Sequence, residues 1–179
     1  MKHCSVFFPI LAQRMFALLA CQALVSTTYA QQCLEFPKGW VFPVEVGQGG
    51  IVAEQKSQGE LYVGSLFVEP MYTVVPCKLR VGASAGGSYA DRQMSGLLGP
   101  RVAFKLKEVG DPTLGSFLNV QLFVEHLWGT RSQRLLGGGL AAEIGQIGIV
   151  SLRAYHDYHG KQLWLQTSVG INLFRQKNQ

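Results

Sequence analysis

Between residues 163 and 174, every second side chain is apolar or small: Leu163, Leu165, Thr167, Val169, Ile171 and Leu173. Trp164, Gln166, Ser168, Gly170, Asn172 and Phe174 stand between them. A period of two sends successive side chains to opposite faces of an extended strand. One face is apolar along its length, and the other is mostly small or polar. Such a strand must pair with others, so the question is how far the same rhythm runs through the chain.

It recurs from residue 61 onward, more sharply as the chain proceeds. A first strand lies within residues 40–54, where Trp40, Val41, Phe42, Val44 and Val46 are apolar. Pro37 and Pro43 are expected to break any long ladder there. The second, 61–74, has a blurred pattern, but Glu69 marks one face as interior. In the third, Leu79, Val81, Ala83 and Ala85 oppose Lys78, Arg80, Gly82, Ser84 and Gly86. Residues 89–96 read as a polar loop. In the fourth, Val102, Phe104 and Leu106 oppose Arg101, Ala103, Lys105 and Lys107. Gly110, Asp111 and Pro112 make a turn. In the fifth, Leu118, Val120, Leu122, Val124 and Trp128 oppose Asn119, Gln121, Phe123 and Glu125. The sixth sets Leu136, Gly138, Leu140, Ala142 and Ile144 against Gly137, Gly139, Ala141 and Glu143. Gly145 and Gln146 form a hairpin signal. The seventh sets Val150, Leu152, Ala154 and Tyr158 against Ser151, Arg153, Tyr155 and Asp157. His159, Gly160 and Lys161 turn the chain into the eighth, residues 163–174.

The clear strands run to roughly 10 residues, the length that crosses a bilayer at a tilt. Lipid cannot satisfy an open sheet edge, so a spanning sheet must close. The expected fold is therefore all-β: an eight-stranded antiparallel up-and-down β-barrel, transmembrane, with an interior that side chains just fill. The composition of the faces decides its polarity. The aliphatic faces of strands three to eight carry no Lys, Arg, Asp or Glu at their centres. Lys78, Arg80, Arg101, Lys105, Lys107, Glu125, Glu143, Arg153 and Asp157 lie on the opposite faces. They are read as a charge network lining the lumen. A soluble lipocalin-like periplasmic barrel would show the same period with its apolar side inward, but its solvated face would be denser in Lys and Glu. Tyr72, Trp128, Tyr158 and Phe174 fall near strand ends, where aromatic girdles sit.

The start of the chain has its own logic. Lys2, His3 and Arg14 precede an apolar stretch over residues 15–25, and Thr28, Tyr29 and Ala30 offer a cleavage site. Residues 1–30 read as an export signal. Leu18, Leu19, Ala20 and Cys21 form a second option, a lipoprotein-type box that would lipidate Cys21. Residues 31–58 are an irregular segment with the weak first strand, 59–174 the main barrel, and 175–179 a polar tail. Without Lys2 and Arg14 the 16 basic residues become 14 against 11 acidic, a net charge of +3. That mild balance carries no argument for nucleic acid. Cys33 and Cys77 remain after processing, and an exported chain with two cysteines usually pairs them. If both termini are periplasmic, both cysteines lie at one rim, where a disulfide can form.

The pattern resembles the small bacterial outer-membrane barrels of the OmpA, OmpX and OmpW kind, over roughly residues 61–174. The resemblance implies a location in the bacterial outer membrane, contact with its lipid, and insertion by the barrel-assembly machinery. That machinery reads a final strand closing on an aromatic residue. Here Phe174 is followed by residues 175–179, and both Trp164 and Phe174 sit on the interior parity. The implied role is structural or interactive, or limited small-solute passage.

Catalytic chemistry is not nominated. Some small outer-membrane barrels modify lipid A, and one such family uses a His with a Ser two residues later. Here Trp128, Tyr158 and Lys161 follow His126, His156 and His159 at that spacing. The cluster His156, Asp157 and His159 lies at a hairpin tip, with neighbours sent to opposite faces, so no metal site is assigned. Gly137, Gly138 and Gly139 lack the Lys-Ser/Thr ending of a phosphate loop and read as close strand packing. No cofactor is expected.

Overall fold

The computed structural model describes residues 38–53, 62–90, 92–111, 115–145 and 147–175. The export signal, Cys21, Cys33 and the end of the polar tail lie outside the described residues. The strands are β1 (Trp40–Ala53), β2 (Tyr62–Val68), β3 (Met71–Val75), β4 (Leu79–Ala90), β5 (Gln93–Asp111), β6 (Gly115–Gly129), β7 (Arg134–Ile144), β8 (Gly148–Asp157) and β9 (Gln162–Arg175).

Neighbours in sequence pair antiparallel from β4 to β9, and β1 pairs with β9 to close the sheet. Strands β2 and β3 both pair with β1 on one side and β4 on the other. They are two halves of one stave, interrupted at Glu69 and Pro70. The ladder crosses the interruption: Glu69 N–H donates to Pro43 O at 2.9 Å, and Ala83 N–H donates to Pro70 O at 3.1 Å. Proline has no N–H to give to a ladder, so it sits where the pairing already slips. The fold is thus a closed eight-stranded antiparallel β-barrel.

Strand β1 is paired along both edges. Pro43 does not end it, because the register with β9 shifts between Val41 and Pro43 and absorbs the missing donor. The expected polar loop over residues 89–96 is also corrected. Ser88 pairs with Ser95 and Tyr89 with Met94, leaving residues 91–92 as the connection between β4 and β5. Ser95 there faces the interior rather than belonging to a loop, while Arg92 and Gln93 are exposed. Ser88 and Ser95 hydroxyls share a hydrogen bond of 2.9 Å, and Ser95 donates to Gln133 Oε1 at 2.7 Å.

Polarity follows the alternation. On β8, Arg153 is 3% exposed while its neighbour Leu152 is 58% exposed. The outward residues of β9 are Leu163, Leu165, Thr167, Val169, Ile171 and Leu173, all exposed, while Trp164, Gln166 and Ser168 are buried. This is the reverse of a soluble lipid carrier. No helix among the described residues is long and apolar enough to cross a membrane, which says nothing against crossing by strands.

Two apolar clusters lie inside the barrel. One gathers Ile51, Val63, Phe67, Leu97, Leu127, Leu135, Tyr155 and Trp164. The other gathers Val41, Met71, Ala103, Phe123, Ala141 and Ile149 nearer the end that carries the start of β1. The run of glycines on β7 permits close strand approach. A Cβ on Gly139 would lie 1.8 Å from Leu152 O and 3.0 Å from Phe123 Cζ.

Candidate functional site in the lumen

The central polar layer is assembled from five staves. Glu45 comes from β1, Glu69 from the β2/β3 interruption, Arg101 from β5, Glu125 from β6 and Arg153 from β8. All are buried. Arg153 lies 2.6 Å from Glu45, 2.8 Å from Glu69 and 3.5 Å from Glu125. Arg101 lies 2.6 Å from Glu69, 3.6 Å from Glu125 and 3.9 Å from Glu45. Both guanidiniums lie over aromatic rings, with Arg101 Cζ 3.8 Å from the Phe123 centroid. Arg153 Cζ is 5.3 Å from both Phe67 and Phe123.

Burying charge is tolerable only when hydrogen bonds complete the pairing. Ser84 Oγ and Tyr155 OH each donate to Glu125 at 2.6 Å. Ser151 and Ser168 donate to Glu45 Oε2 at 2.7 and 2.9 Å. Gly170, opposite Glu45 in the ladder, leaves the room this carboxylate needs. A Cβ there would meet Glu45 Cγ at 2.6 Å. Of the layer's three carboxylates, Glu69 is the exception. Its Oε1 accepts from Arg101 and faces Arg153, but its buried Oε2 has no hydrogen-bond partner.

A second cluster joins opposite walls. Arg80 on β4 donates to Glu143 Oε1 on β7 at 2.6 Å. Asn119 donates to Glu143 Oε2 at 3.1 Å, and Gln121 donates to Oε1 at 3.4 Å, both from β6.

The residues read from the sequence as a lumen network divide accordingly. Arg80, Arg101, Glu125, Glu143 and Arg153 are buried and engaged inside the barrel. Lys105 is half-buried and paired with Glu108. Lys78 is half-buried at the β3–β4 turn. Lys107 is a correction, because it does not line the lumen. A bulge between Lys105 and Lys107 sets it opposite outward-facing Val120, and it is exposed. Asp157 is buried, but it works as a turn cap. Its Oδ1 accepts from the backbone N–H of His159 at 3.0 Å, Gly160 at 3.1 Å and Arg134 at 3.3 Å.

Glu45 and the seryl and tyrosyl donors were not singled out by sequence reasoning. Glu69 was read as interior but not placed in the network. Glu45 sits on β1 among Pro43, Gly47, Gly49 and Gly50, where alternation is weak. Cys77 stands at the β3–β4 turn with φ 69, a left-handed conformation.

No histidine joins these clusters. His126 faces outward, where its Nε2 is 2.9 Å from Tyr158 OH and its ring packs edge-on to Trp128 at 4.6 Å. His156 also faces outward, opposite Leu136 and Leu163. The lumen's serines and carboxylates lie on the other face of the sheet. Among the described residues no group of three or more His, Cys, Asp or Glu is placed to hold a metal ion. The arrangement cross-links staves across the bore.

No protein-family model matches the sequence, and the search of curated proteins finds no match. Among solved structures, the chain is similar to a barrel from work on de novo design of transmembrane β-barrels. The TM-score is 0.49 at 12% identity, over 76% of this chain and 97% of that one. A second is the solution structure of the designed barrel TMB2.3, with TM-score 0.47 at 11% identity over 79% and 99% of the two chains. The closure and polarity described above rest on this chain's own geometry.

Proposed function

We propose that this protein is an integral barrel of the bacterial outer membrane, exported by residues 1–30, with a structural or interactive role. One observation carries the reading. The described outward positions between the strand ends are free of Lys, Arg, Asp and Glu over the middle of the wall, while Glu45, Glu69, Arg101, Glu125 and Arg153 are buried within it. In water that distribution would expose a wide aliphatic surface and bury costly charge. In a bilayer it is the arrangement expected of a barrel wall.

Aromatic residues mark both ends of the apolar band. Trp40 and Tyr72 pack at 5.3 Å near the chain-terminal end. Trp128, Tyr158, Tyr62 and Tyr89 are exposed at the other end. From Tyr62 to Tyr72 the stave advances ten residues. At roughly 3.3 Å per residue and a tilt near 40°, that spans about 25 Å, the height of a barrel's apolar band.

The filled lumen argues against solute passage. Ion pairs of 2.6–2.8 Å bridge it, and Phe67, Phe123, Leu127 and Trp164 are buried around them. Assembly by the barrel-insertion machinery and a Cys33–Cys77 disulfide at the periplasmic rim belong to the same proposal. Cell fractionation with gel mobility before and after heating tests it. The protein is expected in the outer-membrane fraction, with a shifted unheated band. Release by osmotic shock without detergent would overturn the membrane reading. Non-reducing mass analysis showing two free thiols would overturn the disulfide.

A further inference from the structure

Among the described residues, the end of the barrel away from the chain termini carries exposed charge of one sign. Arg92 lies in the β4–β5 connection and Arg131 in the β6–β7 turn. Arg134 opens β7, and Lys161 closes the β8–β9 turn. All four are exposed. The acidic side chain described at this rim, Asp157, is buried and spent on backbone N–H groups. The exposed charge of the described rim is therefore positive.

The turns that bear these cations are tied to their neighbours. Thr130 N–H donates to Gly96 O at 3.0 Å, and Gly129 N–H donates to Gln133 O at 2.8 Å. Tyr158 N–H donates to Arg134 O at 3.2 Å. Arg134 stands directly opposite Trp128 in the ladder. Arg131 and Lys161 sit in turns just past the strand ends that carry the exposed rings of Trp128, Tyr158, Tyr62 and Tyr89, and Arg134 sits level with Trp128. Aromatic rings of that kind rest at headgroup depth, which places the cations among headgroup phosphates. Arg134 and Lys161 are two strands apart, about 10 Å along the rim, within reach of one headgroup that carries two phosphates.

We propose that this rim docks the phosphate groups of membrane lipids, with Arg131, Arg134 and Lys161 as the contacts. A guanidinium fork matches a phosphate's oxygens, and a rim cation near an anionic lipid surface adds to binding one residue at a time. The inference rests on the membrane reading and gives it a specific lipid partner. The opposite rim serves as an internal control, because exposed Lys38 and Lys107 lie there.

The test is native mass spectrometry of the folded, detergent-solubilised full protein. The added lipids are diphosphorylated lipid A and the same lipid after phosphatase treatment, with inorganic phosphate as a competitor. Wild type is expected to retain the phosphorylated lipid about tenfold better. The triple variant Arg131→Gln, Arg134→Gln, Lys161→Gln is expected to lose that preference, and Lys38→Gln with Lys107→Gln to keep it. Each preparation is first checked for the unheated gel shift. If the triple variant fails to fold, the single Arg131→Gln at the turn tip is read by the same ratio and should lower it. Equal retention of the two lipids would overturn the proposal. So would a preference unchanged in the rim variants, or full displacement by millimolar inorganic phosphate. Wild type that shows no gel shift would instead overturn the membrane reading itself.

Discussion

The two ionic clusters inside the barrel solve the same problem in different ways. In the central layer, two guanidiniums are shared among three carboxylates, and each lies within 4 Å of all three. The second cluster is built around one cation and one anion, Arg80 and Glu143, with the amides of Asn119 and Gln121 filling in. Among the described charges, the first spreads over five staves and has one more acid than base, while the second pairs one to one. Sharing protects against loss of an acid but not of a base, because every carboxylate depends on the same two arginines.

The largest effect should come from Arg153→Met. It leaves Glu45, Glu69 and Glu125 with Arg101 alone, and unpairing buried charge typically costs about 3–5 kcal/mol. Loss of the unheated folded band is expected. Arg80→Met should follow, near the lower end of that range. The double variant Arg80→Met, Glu143→Met should recover most of the loss in urea unfolding, since neither member of the described pair is left facing the other's absence. Recovery failing there would mean that the second cluster is not a matched unit.

Gly170→Ala tests the space beside Glu45. Its Cβ would also lie 2.3 Å from Val44 O, so overpacking should lower stability by about 1–3 kcal/mol without changing the outer surface. Ser84→Ala removes one donor from Glu125 and should cost about 1–3 kcal/mol, toward the lower end because Tyr155 remains. The smallest change is predicted for Glu69→Gln. The amide keeps an acceptor for the arginines and removes the surplus negative charge, so the urea midpoint should stay level or rise. A marked fall would show that the excess carboxylate is matched by a group not counted above.

The period-two pattern made the staves legible because burial on one side enforces it. Strand β8 reads correctly, with Val150, Leu152 and Ala154 outward and Ser151, Arg153, Tyr155 and Asp157 inward. What alternation could not carry is any break in register. Lys107 has lumen parity by counting, yet the bulge after Lys105 turns it outward. Ser95 looked like loop because polar residues on an interior face resemble polar residues in a turn. Glu45 was hidden by the glycines and proline around it, whose lack of side chains blurs both faces. The charged lumen was therefore visible as a composition, whereas its centre, the sharing of Arg101 and Arg153, depends on which staves curve toward each other.

The connections at the rim opposite the termini are short: residues 91–92, 130–133 and 158–161 in the three described cases. At about 3.3–3.6 Å per extended residue, a four-residue turn rises and returns within roughly 7 Å. Seated in a bilayer, these three turns would offer almost no stalk or handle above the lipid plain. At them, a large molecule arriving from solution would meet the surrounding headgroups before it met the chain. Recognition by these turns accordingly favours molecules that already live in the plane of the membrane.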